Sequence, residues 1–260
     1  MPQLLTLGKT VVRPVLKMSR FDLRCARLRL NDLGVRHAEL SGVLSPHDDP
    51  AIPNERLIDL LLALISRTRR TMLTNLADRN PPDLLNLWPG EHYRLLAAMV
   101  QELKPRTVIE IGTFKGLSAL AMLAYLPPGA RLTTFDLIPW DRIPGTFLRP
   151  LDFANGNFTQ ALCDLKDMEN CRVHASLIQD ADLIFIDGPK DGVFEETLLH
   201  NFAEIGLRPH TLLVFDDTHV WNMLEIWMGI RHPKLDITTI GHYTGTGLVE
   251  WLPSAVRPME

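Results

Sequence analysis

The stretch VIEIGTFKGLSAL, Val108 to Leu120, decides how the rest of this chain is read. Val108, Ile109 and Ile111 form a short, β-branched run with the look of a buried strand. Gly112 lets the backbone turn straight off that strand, and Gly116 lets the start of the next helix approach a ligand closely. The spacing is not the dinucleotide fingerprint G-x-G-x-x-G, because Phe114 and Leu117 stand where its later glycines would be, which counts against a nicotinamide cofactor. Glu110 is an odd strand residue among apolar neighbours; a carboxylate there can meet a cationic ligand.

Outward from this unit, apolar runs and helical patterns alternate. RLTTFDL ends in Asp136, FTQALCDL ends near Asp164, DLIFIDG ends in Asp187 and TLLVFDD ends in Asp216 and Asp217. Helical spacing recurs in GLSALAMLAYL, VFEETLLHNFAEI and WNMLEIWMGI, and ITTIGHY and GLVEWL read as closing strands. Strands alternating with helices imply parallel pairing with both faces covered, so the expected class is α/β: a doubly wound, mostly parallel, seven-stranded sheet. Ligands in such sheets sit beyond the carboxyl ends of the strands, where the polar residues of this sequence cluster.

Upstream, residues 1–45 read as a basic lead-in and SPHDDPAIPN as a loop. Leu57, Leu60, Leu61, Leu64 and Ile65 predict a helix from about Glu55 to Asp78. NPPDLLNLWPG breaks the chain, and EHYRLLAAMVQEL predicts a second helix ending before Pro105. The expected division is a basic arm with a helical extension over 1–90 and a ligand-binding domain over 91–260.

The 260 residues carry 27 Lys or Arg against 31 Asp or Glu, a net charge of -4 that gives no case for bulk polyanion binding, so no nucleic-acid partner is expected. The charge is uneven: Lys9, Arg13, Lys17, Arg20, Arg24, Arg27, Arg29 and Arg36 face only Asp22 and Asp32 in the first 36 residues. Cys25, Cys163 and Cys171 lack metal-ligand spacing and suggest a reducing compartment. The best apolar run, LIDLLLALI, is too short for a membrane span and contains Asp59. A cytoplasmic protein is the expectation.

The chemistry concentrates at four strand ends. Asp136 is placed to accept hydrogen bonds from ribose hydroxyls. Asp187 and Asp216-Asp217 should end side by side if the fourth and fifth strands are neighbours. Three carboxylates that close repel unless a cation joins them, and all-oxygen ligands select a hard ion such as Mg²⁺. Plainer readings stand beside these. Asp187 can simply shape the site, Asp216-Asp217 can cap the helix that follows, and Lys190 can be a loop lysine. His219 reads either as an alternative base or as a surface histidine. Trp221, Trp227 and Tyr243 could wall a pocket or pack in the core. The Pro-rich connection Ile138 to Pro150 is expected to act as a lid.

From Glu91 to Trp251 the chain resembles the class I S-adenosylmethionine-dependent methyltransferases, within them the metal-dependent catechol-type and related small-molecule and sugar O-methyltransferases. The resemblance is carried by EIGTFKGLS (Glu110 to Ser118), Asp136, FIDGPKD (Phe185 to Asp191) and FDD (Phe215 to Asp217). It implies a Rossmann-like methyltransferase fold and a cofactor site lined by Glu110, Gly112, Thr113, Phe114, Gly116, Ser118, Asp136, Asp164, Leu165 and Asp187. It also implies a Mg²⁺ site at Asp187, Asp216 and Asp217, with Lys190 as general base and Asp187 and His219 as further catalytic candidates. The departures are Asp217, where the catechol-type pattern commonly has Asn, and Pro189, where an aromatic often lies beside the adenine. The activity this implies is methylation of a hydroxyl on a small molecule, a natural product, sugar or phenol. The N-terminal helices would supply part of the substrate pocket, a homodimer contact, or both. The alternatives are a metal-independent methyltransferase using Lys190 or His219, a non-catalytic cofactor-binding subunit, and an α/β enzyme using the carboxylates for metal-assisted hydrolysis or hydroxylation.

Overall fold

The computed structural model describes residues 54–79, 81, 85 and 92–252. The basic arm, the loop before Asn54 and the Pro89-Gly90 break lie outside the described residues. Helix α1, Glu55–Arg70, buries Leu57, Leu61, Leu64 and Thr68 on one stripe. It is shorter than its pattern predicts. Thr71 takes up extended backbone and returns its hydroxyl to the Arg67 carbonyl, closing the last turn, and a separate 3-10 turn covers Thr74–Arg79. Helix α2, His92–Leu103, packs against α1 with Leu95 to Val100 buried without interruption.

The alternation then unfolds as β1 (Thr107–Ile111), α3 (Leu117–Leu123), β2 (Arg131–Asp136), β3 (Phe158–Leu162), α4 (Met168–Val173), α5 (Ala175–Gln179) and β4 (Leu183–Ile186). It continues through α6 (Phe194–Ile205), β5 (Leu212–Asp216), α7 (Met223–Gly229), β6 (Lys234–Asp236) and β7 (Thr246–Glu250). The described strands form one seven-stranded sheet in the order β3-β2-β1-β4-β5-β7-β6. The first five run parallel, and β7 enters antiparallel between β5 and β6. The class is the doubly wound α/β sheet expected from the sequence. The strand order reverses at β1, with β2 on one side and β4 on the other, so the crevice beyond their carboxyl ends is the natural ligand position.

The parallel strands are buried on both faces, as their unbroken apolar runs require. Ile109, Ile184, Leu213 and Phe215 meet Leu198, Phe202 and Trp227 in one continuous core. Each such side chain contributes roughly 1.5–3 kcal/mol relative to exposure. Trp227 therefore belongs to the core, whereas Trp221 and Tyr243 are exposed.

The sixth strand falls elsewhere than the pattern suggests. ITTIGHY does not form it; Lys234–Asp236 pairs with β7 instead, Leu235 opposite Leu248. Two buried polar groups explain the shift. The Lys234 ammonium donates to the carbonyls of Trp227, Met228 and Ile230 at the end of α7, which fixes this segment. Asp236 then accepts from the backbone N–H and hydroxyl of Thr238, and the chain curls away from the sheet.

Candidate active site

At the end of β1 the backbone turns at Gly112 with φ +99°, and a Cβ there would lie 2.2 Å from the Asp187 carbonyl oxygen. Only glycine fits between the first and fourth strand ends. Gly116, at φ +80°, begins α3 where any side chain would strike Leu148. Asp136 ties the turn together. One of its oxygens accepts from the backbone N–H groups of Thr113 and Phe114 at 2.9 and 3.0 Å, and the other from Ile138 at 3.0 Å. Its carboxylate is already engaged by structure, with one lone pair per hydrogen bond used and capacity left for a further donor. Glu110 lies beneath, 0% exposed, and neither of its oxygens has a hydrogen-bond partner. Burial pushes its carboxyl up to about 8, with the Ser118 and Thr134 hydroxyls opposing.

Beside the turn opens a cavity of about 340 Å³, lined by Gly112, Phe114, Asp136, Asp164, Leu165 and Asp187 among others. This is the size range of small-molecule pockets. The sequence reading missed its apolar walls Cys163 and Phe194, which carry no polar signal; Ile138, another wall, opens the connection expected to act as a lid. The Pro-rich connection is anchored rather than loose. Arg79 grips Asp152 with both guanidinium nitrogens and donates to the Phe147 carbonyl, and Gln160 donates to the Ile138 carbonyl.

The second cluster lies at the ends of β4 and β5. Because Ile186 pairs with Phe215, the following carboxylates arrive together, and Asp187, Asp216 and Asp217 offer oxygens within 4.8 Å of one another. Burial raises the Asp187 carboxyl above the ordinary range and the Asp216 charge adds to the effect, while Lys190 works against both. Asp217 is held below its ordinary value: burial would raise it, but contacts from His242 and Thr244 and the Lys190 charge prevail. Lys190 is 5% exposed, and its Nζ donates to Asp187 Oδ1 at 3.0 Å and to the Gly188 carbonyl at 3.1 Å, with Asp217 at 3.9 Å. Lys190 and Asp217 both sit at positive φ, +55° and +60°. Non-glycine residues held there cost of order 1–3 kcal/mol each, and such strain gathers at functional sites. One Asp216 oxygen, Oδ1, is buried with no hydrogen-bond partner.

Asp216-Asp217 does not cap the next helix; Asn222 stands at that N-cap. His219 turns elsewhere, its Nε2 2.9 Å from Asp236 Oδ2 on β6. Two histidines outside the expected site residues come in instead. His92 at the start of α2 brings Nδ1 to 3.8 Å from Asp216 Oδ1, and His242 brings Nδ1 to 3.5 Å from the same atom. The His242 loop docks here because the Gly245 carbonyl accepts from Asp217 N–H and the Thr244 carbonyl from His219 N–H. The Asp216 and Asp217 carboxylates raise the His242 imidazole to about 9.

Residues 109–218, spanning both clusters, match the family model of a methyltransferase domain. Over these residues the chain carries a methyltransferase domain. This domain is 31% identical over 139 residues to mouse catechol O-methyltransferase, a match covering 49% of this chain and 48% of the relative. It is 30% identical over 136 residues to the pig catechol O-methyltransferase, covering 48% of this chain and 66% of that one. The chain thus spans about half the length of the mouse protein and just under two thirds of the pig protein. Its fold is also similar to a Bacillus cereus O-methyltransferase crystallised with SAH, at 19% identity and a TM-score of 0.46, covering 76% of this chain and 96% of that one. Within the methyltransferase domain, the glycine turn and the acidic mouth meet at Asp187, which lines the cavity and heads the carboxylate cluster. Among the described residues no helix is long and apolar enough to cross a membrane.

Proposed function

We propose that this protein transfers the methyl group of S-adenosylmethionine to a hydroxyl oxygen of a small molecule, with a divalent cation held by Asp187, Asp216 and Asp217. The observation that carries the reading is Asp187 itself, shared by an apolar cavity of cofactor size and by a cluster of three carboxylates. The donor set suits a hard ion: all oxygens, within 4.8 Å, one of them buried and unpartnered. Such an ion lowers the pKa of a hydroxyl bound to it, and S-adenosylmethionine supplies an electrophilic methyl group on sulfur.

In this reading the chain's own residues do the rest. The remaining acceptor capacity of Asp136 orients the donor's ribose, and Phe114, Ile138 and Phe194 exclude water around it. Asp164 and Leu165 flank the adenine, and Glu110, Thr113, Gly116 and Ser118 shape the floor of the turn without lining the cavity. Lys190, the amine nearest the mouth, is assigned as the general base. The protein's own small-molecule substrate would enter from the side of the exposed Trp221 and Tyr243. Cytoplasmic residence and a self-contact through α1, where Leu62 is exposed, complete the proposal; sedimentation of the purified chain checks the latter.

A metal-independent transfer is favoured by one observation: Lys190 already neutralises Asp187 without an ion. Calorimetric titration with S-adenosylmethionine, then Mg²⁺, then EDTA separates the two. Cofactor binding with a Mg²⁺ site lost in Asp187→Ala supports the metal reading. Cofactor binding with no metal site leaves the metal-independent one, and no cofactor binding sinks both.

A further inference from the structure

We infer that the acidic mouth contains a second, nitrogen-bearing cation site, in which His92, Asp216 and His242 bind a borderline transition ion of the Zn²⁺ or Co²⁺ kind. The inference does not depend on methyl transfer or on the all-oxygen set. His92 comes from the start of α2, Asp216 from the end of β5 and His242 from the loop before β7, so three separate elements converge. Their ligand atoms all lie within 4.8 Å of one another. Asp216 Oδ1 is 3.8 Å from His92 Nδ1 and 3.5 Å from His242 Nδ1. Nitrogen and oxygen donors bound to one such ion at their usual lengths stand roughly 3–4 Å apart. The two rings face each other at 5.2 Å between centroids, and His92 is steadied edge-on by Tyr93.

A second, independent observation points to a ligand. Asp216 is 5% exposed, and the oxygen aimed between the imidazoles is the one left without a hydrogen bond. A buried, unpartnered carboxylate oxygen is costly, and a cation is what would satisfy it. One contact must yield: the Thr244 hydroxyl lies 2.6 Å from His242 Nδ1, and it can turn toward Asp217. Asp217 Oδ1, 3.7 Å from the same nitrogen, stands ready as a fourth donor.

The chemistry divides the mouth. Carboxylates suit Mg²⁺, whereas imidazoles suit zinc, cobalt, nickel and iron. Asp187 belongs only to the oxygen set, His92 and His242 only to the nitrogen set, and Asp216 to both.

The test uses the full chain, stripped of metal and titrated with Co²⁺ by visible absorption and calorimetry, and with Mg²⁺ in parallel. One Co²⁺ should bind with a ligand-field spectrum distinct from the aqueous ion. His242→Ala and His92→Gln should each weaken Co²⁺ by roughly 10–100-fold or more, since even outer partners of a metal ligand are worth that much. Asp187→Asn should leave Co²⁺ affinity unchanged, and Asp216→Asn should abolish it. Because His92 is buried, thermal melting with and without Co²⁺ accompanies each variant, and the more exposed His242 supplies the variant expected to fold normally. Co²⁺ affinity unaltered in the His92→Gln/His242→Ala double variant would overturn the inference. So would Co²⁺ binding lost in Asp187→Asn but kept in both histidine variants. If Mg²⁺ fails to bind while Co²⁺ binding stays histidine-dependent, the all-oxygen reading falls and this one stands.

Discussion

Two aspartates end parallel strands on either side of β1 and meet opposite fates. Asp136, at the end of β2, gives its carboxylate to three backbone N–H groups and so builds the turn that shapes the cavity. Asp216, at the end of β5, keeps a buried oxygen with no partner and faces two carboxylates and two imidazoles. A strand-end carboxylate is thus tied into the fold where loop amides close over it and is left open where they do not. Backbone strain does not separate the two: Phe114 stands at positive φ at the first turn, and Lys190 and Asp217 at the second mouth.

The comparison breaks first at Asp216. Asp216→Asn should lower steady-state methyl transfer by roughly 100-fold or more if the cation reading holds, because removal of a ligand disturbs metal, substrate and cofactor together. Its melting temperature should change little, since the cost of burying the carboxylate and its contacts with the His242 and His92 imidazoles are removed together. A loss of stability without loss of activity would make Asp216 the structural one. Asp136→Ala should cost stability, destabilising by roughly 3 kcal/mol as three N–H groups lose their acceptor at about 1 kcal/mol each, measured by urea unfolding.

Beneath the turn, Glu110 sharpens the contrast through pH. Its carboxyl is raised to about 8 in the folded chain against 4.5 for an ordinary glutamate, so the folded state holds the proton more tightly. The stability it contributes is complete below pH 4.5 and is lost as pH rises through 8. At pH 7 the loss is roughly 3 kcal/mol. Glu110→Gln should flatten that slope in unfolding experiments between pH 5 and 8 (within the same window); an unchanged slope would assign the proton elsewhere. The smallest effect on stability is expected at Asp217. Asp217→Gly should relieve the positive φ and raise the melting temperature by a few degrees, equivalent to about 1 kcal/mol, while metal-dependent turnover collapses.

The strand–turn–helix from Val108 to Leu120 was legible because its signals are local: β-branched residues, a glycine at the turn, then helix formers. The carboxylates of Asp187, Asp216 and Asp217 were legible for a related reason, since parallel strands in this class present their ends on one edge. Cys163 and Phe194 were not, because an apolar wall residue looks like any core residue. Their only signal was proximity to strand ends, which connects segments far apart in sequence. His92 and His242 each precede a tyrosine at a junction between loop and element, a pattern too common to select them.

The sequence by itself determined the alternation of strands and helices, the glycine turn and the acidic strand ends, because each depends on the chemistry of a few consecutive residues. Tertiary structure decided the rest. It moved the sixth strand to Lys234–Asp236 through a buried ammonium and turned His219 toward Asp236. It also carried His92 and His242 to the free oxygen of Asp216. Those outcomes rest on buried polar groups finding partners across the whole fold, and no local pattern encodes which partner a buried charge will meet.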